Sequence, residues 1–239
     1  MQSTPFSLPA AVALPVQREG ASIPTVYWPP EGASRGVVLA SHGGSGHKLS
    51  QAVLAIAALC VPRGLTVLAI DGPVQGERRE DGKLDPSVAK TAFREAWRAG
   101  VGRSSMAEDW QAALDALLAR PGHERLPVGY IGVSMGTAYG VPLLAVEPRI
   151  QAAVLGLWGT TYPASEHLAD YARRVQCPVW FTQQWDDEFF DREGTLALFD
   201  ALGSQDKRLV AYPGPHRELE GGRLRDAVDF LVSRLLSDG

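Results

Sequence analysis

Tyr130-Ile131-Gly132-Val133-Ser134-Met135-Gly136-Thr137 is the stretch on which the reading of this chain turns. Val128, Tyr130 and Ile131 are strand formers. They predict a strand that stops abruptly, a serine at its tip, and a helix from about Met135 to Ala145. Gly132 and Gly136 flank the serine in a G-x-S-x-G pattern. A strand-to-helix turn this sharp brings backbone segments close together, which glycine permits. The helix points its N-terminus at the serine, so its free N–H groups and dipole favour negative charge there.

Working outward, apolar runs alternate with helical periodicity. Gly36–Ser41 reads as a strand covered on both faces, and it ends in the loop His42-Gly43-Gly44-Ser45-Gly46. A helix follows from about Leu49 to Val61, then a strand over Thr66–Ile70 closed by Asp71-Gly72-Pro73. A further helix is capped by the pair Ser105 and Glu108, with Met106, Trp110, Leu114 and Leu117 as its apolar stripe. Beyond the serine come strands over Ala152–Leu157, Pro178–Thr182 and Arg208–Tyr212. A helix ends near Gly203, and Leu224, Val228, Leu231 and Leu235 mark a closing one. Proline-rich residues 1–30 hold two short extended pieces, Pro15–Arg18 and Ile23–Trp28, expected as edge strands. Six buried strands alternating with helices predict one α/β domain over 1–239, with an open, mostly parallel central sheet and helices on both faces.

The chain has 239 residues, 45% hydrophobic and 21% charged, enough for a sizeable core. A net charge of −4 argues against nucleic acid or an anionic membrane surface as partner. No apolar run is long enough to span a bilayer. The N-terminal stretch lacks the basic start of a signal peptide and is broken by Pro5, Pro9 and Pro15. Cys60 and Cys177 sit in apolar contexts and read as free thiols, so a cytoplasmic setting is expected.

A serine hydroxyl needs a base, and the base needs an orienting carboxylate. In such sheets active residues gather at the carboxyl ends of strands. Pro213-Gly214-Pro215-His216 follows the last strand, which makes His216 the candidate base. Asp186, Asp187 and Glu188 follow the strand before it, and spacing alone leaves the acid open among them. Asp71 breaks the order Ser…Asp…His and is expected to brace its own turn or pair with Arg78 or Arg79. Two N–H groups should face the developing oxyanion: Met135, directly after the serine, and Gly44 from the glycine loop, with Ser45 as second choice. Gly46-His47-Lys48 fails the phosphate-loop pattern, and His42 with His47 lacks a third metal ligand. Neither cofactor nor metal is expected.

Residues 73–103 break the rhythm. They leave a strand at the active-site edge and are far longer than most connections. Asp85 should cap a short helix that starts at Pro86, with Phe93 and Trp97 on one side and Lys90, Arg94 and Arg98 elsewhere. This segment is a candidate lid insertion, with Phe93 and Trp97 forming a substrate pocket faced by Trp158 and Trp185.

Ser41-His42-Gly43-Gly44, Asp71-Gly72-Pro73, Gly132–Gly136, Trp185-Asp186-Asp187-Glu188 and Tyr212–His216 together resemble the α/β-hydrolases, specifically the dienelactone hydrolase-like group, over about residues 34–236. The resemblance implies an α/β-hydrolase fold and selects Asp187 as the acid, with Gln184 where that family has a loop glycine. True dienelactone hydrolases use a cysteine nucleophile. Ser134 here therefore implies the family's serine members, which cleave small-molecule esters. An amidase or peptidase using the same residues, or a non-catalytic small-molecule receptor, is the alternative. Oligomeric state stays open.

Overall fold

The computed structural model describes residues 8–236. The signal-peptide reading of the N-terminal stretch falls in part on residues 1–7, outside the described residues. The strands are β1 (Val12–Ala13), β2 (Gln17–Arg18), β3 (Ala21–Ser22), β4 (Thr25–Trp28), β5 (Gly36–Ala40), β6 (Leu65–Ile70), β7 (Val128–Ile131), β8 (Ile150–Gly156), β9 (Val179–Gln184) and β10 (Lys207–Tyr212). The helices are α1 (Gln51–Cys60), α2 (Pro86–Arg98), α3 (Ser105–Leu118), α4 (Met135–Leu144), α5 (Leu168–Ala172), α6 (Arg192–Ala201) and α7 (Gly221–Leu235).

Eight strands form one sheet in the order β1-β4-β6-β5-β7-β8-β9-β10, while β2 and β3 make a separate hairpin. Strands β5 to β10 run parallel, β4 pairs antiparallel with both β6 and β1, and the β2–β3 hairpin is antiparallel. Successive residues of a strand point to opposite faces. Leu39, Tyr130, Leu155 and Phe181 accordingly enter one core with α2 to α6. Val38, Ala40, Val154 and Trp180 enter the other with α1 and α7. The near-continuous apolar runs follow from this double coverage. β10 departs from the expected set of buried strands. It closes the sheet edge, so its side chains are only half-covered.

Local signals hold at several helix ends. Asp85 caps α2, accepting from the Ser87 and Val88 N–H groups with Pro86 in the first turn. Asp191 caps α6 through the Gly194 N–H. Met106, Trp110, Leu114 and Leu117 are all buried. The capping box expected at Ser105 does not form. Turns bring the chain into α3 already helical, Ser104 holds the cap position at φ −98°, ψ −44°, and it makes no side-chain cap bond. Glu108 instead takes a hydrogen bond from Arg18 at 2.8 Å. No helix of the described residues is long and apolar enough to cross a membrane.

Candidate active site

Ser134 sits between β7 and α4 at φ 56°, ψ −121°, a conformation that L side chains rarely adopt. Such strain persists only where the surroundings over-determine it. The Ser134 N–H donates to Gly156 O at 2.9 Å, and the Gly132 N–H to Val154 O at 3.0 Å. Thr137 Oγ1 accepts from the Gly156 N–H at 2.7 Å and lies 2.6 Å from Gly156 O. The elbow is thus tied to the neighbouring strand β8. A Cβ on Gly132 would stand 2.8 Å from Ser41 Cβ, so the turn closes only with glycine there.

The loops after β9 and β10 meet this serine. His216 Nε2 lies 3.1 Å from Ser134 Oγ, and His216 Nδ1 lies 2.7 Å from Asp187 Oδ2. That pairing assigns the proton to Nδ1 and leaves Nε2 to accept from the serine hydroxyl. The Asp187 side chain is only 3% exposed. Its other oxygen accepts from the Phe189 and Phe190 N–H groups at 2.9 and 3.1 Å. The two neighbouring acids bind backbone instead. Asp186 Oδ2 accepts from the Gly214 N–H, and Glu188 Oε2 from the His216 N–H at 2.8 Å. The latter bond holds the Glu188 carboxyl below its ordinary range and clamps the histidine loop.

Ser134 and His216 open into a cavity of about 200 Å³. Its wall is aromatic: Phe93 from α2, Trp158 after β8, Tyr162, and Phe189 with Phe190 from the Asp187 loop. Trp158 and Phe190 stack with centroids 4.6 Å apart, and Phe190 lies 5.3 Å from the His216 ring. Ser45 of the glycine loop is at the rim, and Phe93 packs against Gly44. Met135 opens α4, so its N–H has no acceptor inside the helix.

Two expected pocket residues are elsewhere. Trp97 is 0% exposed and lies behind Phe93, its indole N–H donating to Pro163 O at 3.0 Å. Two turns along α2 from Lys90, it lies on the same side of the helix but deeper, against Tyr139 and Trp158. Trp185 points outward, 48% exposed, under the Arg192 guanidinium at 4.2 Å. Conversely, Lys90 and Arg94 share the face of Phe93 rather than lying elsewhere on the helix. Both reach the cavity and stack on Phe189 at 4.1 and 4.7 Å. The i, i+3, i+4 spacing of Lys90, Phe93 and Arg94 carried that signal. Phe189 and Phe190 were equally visible as the apolar pair after Asp187, whereas nothing local marked Tyr162 or Glu218.

Asp71 does not pair with Arg78 or Arg79. It is fully buried and binds Lys48 Nζ at 2.8 Å, the Lys48 N–H at 2.9 Å and the Glu77 N–H at 2.9 Å. Arg78 pairs with Asp109 and Arg79 with Asp81. Lys48 ends the glycine loop, so this buried ion pair ties that loop to the turn after β6. His42 adds a second tie. Its Nδ1 lies 2.8 Å from Gly43 O, and its Nε2 accepts from the Gly72 N–H at 3.0 Å. Burial pushes its pKa down to about 4, so the ring is neutral.

Chain order, a parallel sheet, and reactive side chains gathered at the carboxyl ends of strands define an α/β enzyme that works at one sheet edge. Comparison with solved structures places it further. An esterase from an Arctic intertidal metagenomic library, described as cold-adapted and crystallised with polyethylene glycol, is 40% identical with a TM-score of 0.83, covering 94% of this chain and 93% of that one. A dienelactone hydrolase from Anabaena variabilis is 22% identical with a TM-score of 0.68, covering 95% and 97%. An acylaminoacyl peptidase from Pyrococcus horikoshii shares the fold at 14% identity and a TM-score of 0.73, over 98% of this chain and 43% of that one. No protein-family model and no curated protein matches the sequence. The chain belongs to the same family as that 40% identical esterase and is a hydrolase of the α/β-hydrolase fold, which it shares with the dienelactone hydrolase.

Proposed function

We infer that the protein is a serine hydrolase that cleaves carboxylic esters of small molecules through an acyl-enzyme. The observation that carries this is the continuous Ser134–His216–Asp187 chain, at 3.1 and 2.7 Å, opening into one aromatic cavity. Ser134 Oγ attacks the ester carbonyl while His216 Nε2 takes its proton. Asp187 holds the ring in the tautomer that can do so and stabilises the imidazolium. The Met135 and Gly44 N–H groups receive the oxyanion, with Ser45 the other donor of that loop. His216 then protonates the departing alcohol. A water deprotonated by the same nitrogen attacks the acyl-enzyme and releases the acid.

A cavity of about 200 Å³ suits a short or medium ester rather than a polymer. The esterase named for the 40% identical structure supports the same reaction class. Burial raises the thiol of Cys60 to about 12 and that of Cys177 to about 11, so neither is poised as a nucleophile. These inert free thiols also suit a cytoplasmic location. The test is a matched panel of nitrophenyl esters and nitroanilides with the same acyl groups. Turnover confined to the esters is expected. Preferential turnover of the anilides would make the protein an amidase, and turnover of neither would leave it a binding protein.

A further inference from the structure

One acidic group of the cavity takes no part in the chain from Ser134 to Asp187. Glu218 follows His216 by two residues and is the sole carboxylate among the cavity-lining residues. Its Oε1 lies so close to Gly43 that a Cβ there would stand 2.1 Å away, so the carboxyl rests on the backbone of the glycine loop. The same side chain also lines a water-sized slot of about 10 Å³ behind the nucleophile elbow, beside Ser41 and Gly132. It is therefore wedged between the two loops that frame Ser134.

Among the described residues its oxygens have no hydrogen-bond or ion-pair partner. The nearby cations are engaged elsewhere. Lys90 and Arg94 stack on Phe189, and Arg217 leans toward Glu220 at 3.8 Å. Burial pushes the Glu218 pKa up, and only His216 pulls it back. Glu218 is half-buried, so its carboxyl stays open to the cavity and meets no donor among the described residues. Fold stability therefore gives no reason for it. An unsatisfied polar group facing a ligand cavity is instead the mark of a group that is satisfied by the ligand.

We propose that Glu218 is a substrate-recognition residue, binding a hydroxyl or protonated amine carried near the reacting carbonyl of the ester. The preferred substrates are thus polar, donor-bearing esters, in contrast to the plain alkyl esters that the aromatic wall alone would admit. A hydroxyl donates to the carboxyl in either protonation state. An ammonium group draws it into the ionised form and gains a charge-assisted bond. The inference rests on the ester-hydrolase reading and sharpens it.

Four esters decide it, followed by acid release: methyl butanoate, methyl 3-hydroxybutanoate, 2-hydroxyethyl butanoate and methyl 3-aminobutanoate. The readout is kcat/KM of each donor-bearing ester relative to methyl butanoate, in the wild type, E218L and E218Q. Wild type should favour at least one donor-bearing ester, and E218L should cut that ratio about tenfold or more. E218Q separates the two chemistries, since the amide keeps a hydroxyl preference but loses an ammonium preference. If E218L does not fold, a collapse of the amine ratio in E218Q, or retention of the hydroxyl ratio there against a loss in E218A, supports the proposal equally. Ratios within twofold of wild type in every folded variant would overturn the proposal and leave the esterase reading standing. Failure of the wild type to hydrolyse any of the four would take both down.

Discussion

Lys48→Met should destabilise the protein by about 3 kcal/mol. The substitution keeps length and apolar contact but removes the ammonium from Asp71, whose side chain is 0% exposed. Breaking a buried ion pair from one side costs about 3–5 kcal/mol, because the remaining charge is left buried. Two backbone donors, the Lys48 and Glu77 N–H groups, stay on Asp71 and place the effect at the lower end. The second contact of Lys48, to Glu77, adds little because that carboxylate is 71% exposed. In a domain of this size each kcal/mol moves Tm by about 2–4 °C, so the melt should fall by about 6–12 °C. Ester kcat should fall as well, since Lys48 closes the loop that presents Gly44 and Ser45. Adding Asp71→Asn removes the stranded charge but keeps an acceptor for only one of the two N–H groups, since Lys48 and Glu77 bond to different oxygens and the amide has one. The double variant should recover only part of the lost Tm, because one buried N–H is left without an acceptor. Calorimetry of the three proteins reads this directly. A Lys48→Met melt within 1 °C of wild type, or a double variant no better than the single, would show that the pair does not hold the loop.

Asp187→Asn should lower ester kcat by about 10³–10⁴-fold, since the amide can neither hold the productive tautomer nor stabilise the imidazolium. Asp186→Asn should cost less than tenfold, its carboxylate being largely exposed and bonded to the Gly214 N–H; the reverse ranking would move the acid by one position. Trp97→Ala should cost about 3–5 kcal/mol of stability, as expected for a large buried side chain, and leave the relative kcat/KM of short and bulky esters within about twofold. A shifted ranking at unchanged Tm would return Trp97 to the pocket wall. Stability should also fall on acidification through His42. Folded His42 titrates at about 4 against 6.5 when unfolded, so its contribution is present above pH 6.5 and is lost as pH drops toward 4. Between pH 7 and 4.5 that loss is about 2 kcal/mol. Urea unfolding at the two pH values should show a drop smaller by that amount in His42→Gln, and equal drops would contradict the assignment.

What could be read from the sequence was whatever neighbouring residues determine together. The elbow at Gly132–Gly136 is local, since strand, glycine, serine and helix follow within eight positions. His216 could be placed because it follows a strand in a parallel sheet, and topology brings the loops after β9 and β10 to one edge; that argument left Asp186, Asp187 and Glu188 open, and the family resemblance selected Asp187. The apolar stripes of α3 and α7 were equally legible. Partners set by tertiary approach were not. Asp71 was expected to brace its own turn or pair with Arg78 or Arg79; it does brace the turn through the Glu77 N–H, yet its cation comes from the preceding loop. Ser105 and Glu108 have the spacing of a capping box, but the turns before α3 move the cap to Ser104 and Arg18 takes the glutamate. Trp97 and Phe93 share an apolar stripe, and only the depth of α2 against Trp158 and Tyr139 decides which reaches the cavity. Glu218 carries no local mark because its significance lies in what it fails to meet.

The central claim is that Ser134 is the nucleophile. Treating the intact protein with a fluorophosphonate, then locating the adduct by peptide mass spectrometry, tests it most directly. One adduct per chain is expected, on Ser134, with ester turnover lost in proportion to labelling. Ser134→Ala should take up no label and lose turnover by several orders of magnitude while keeping the wild-type melt. An unlabelled Ser134, or a Ser134→Ala variant that turns over ester at the wild-type rate, would contradict it.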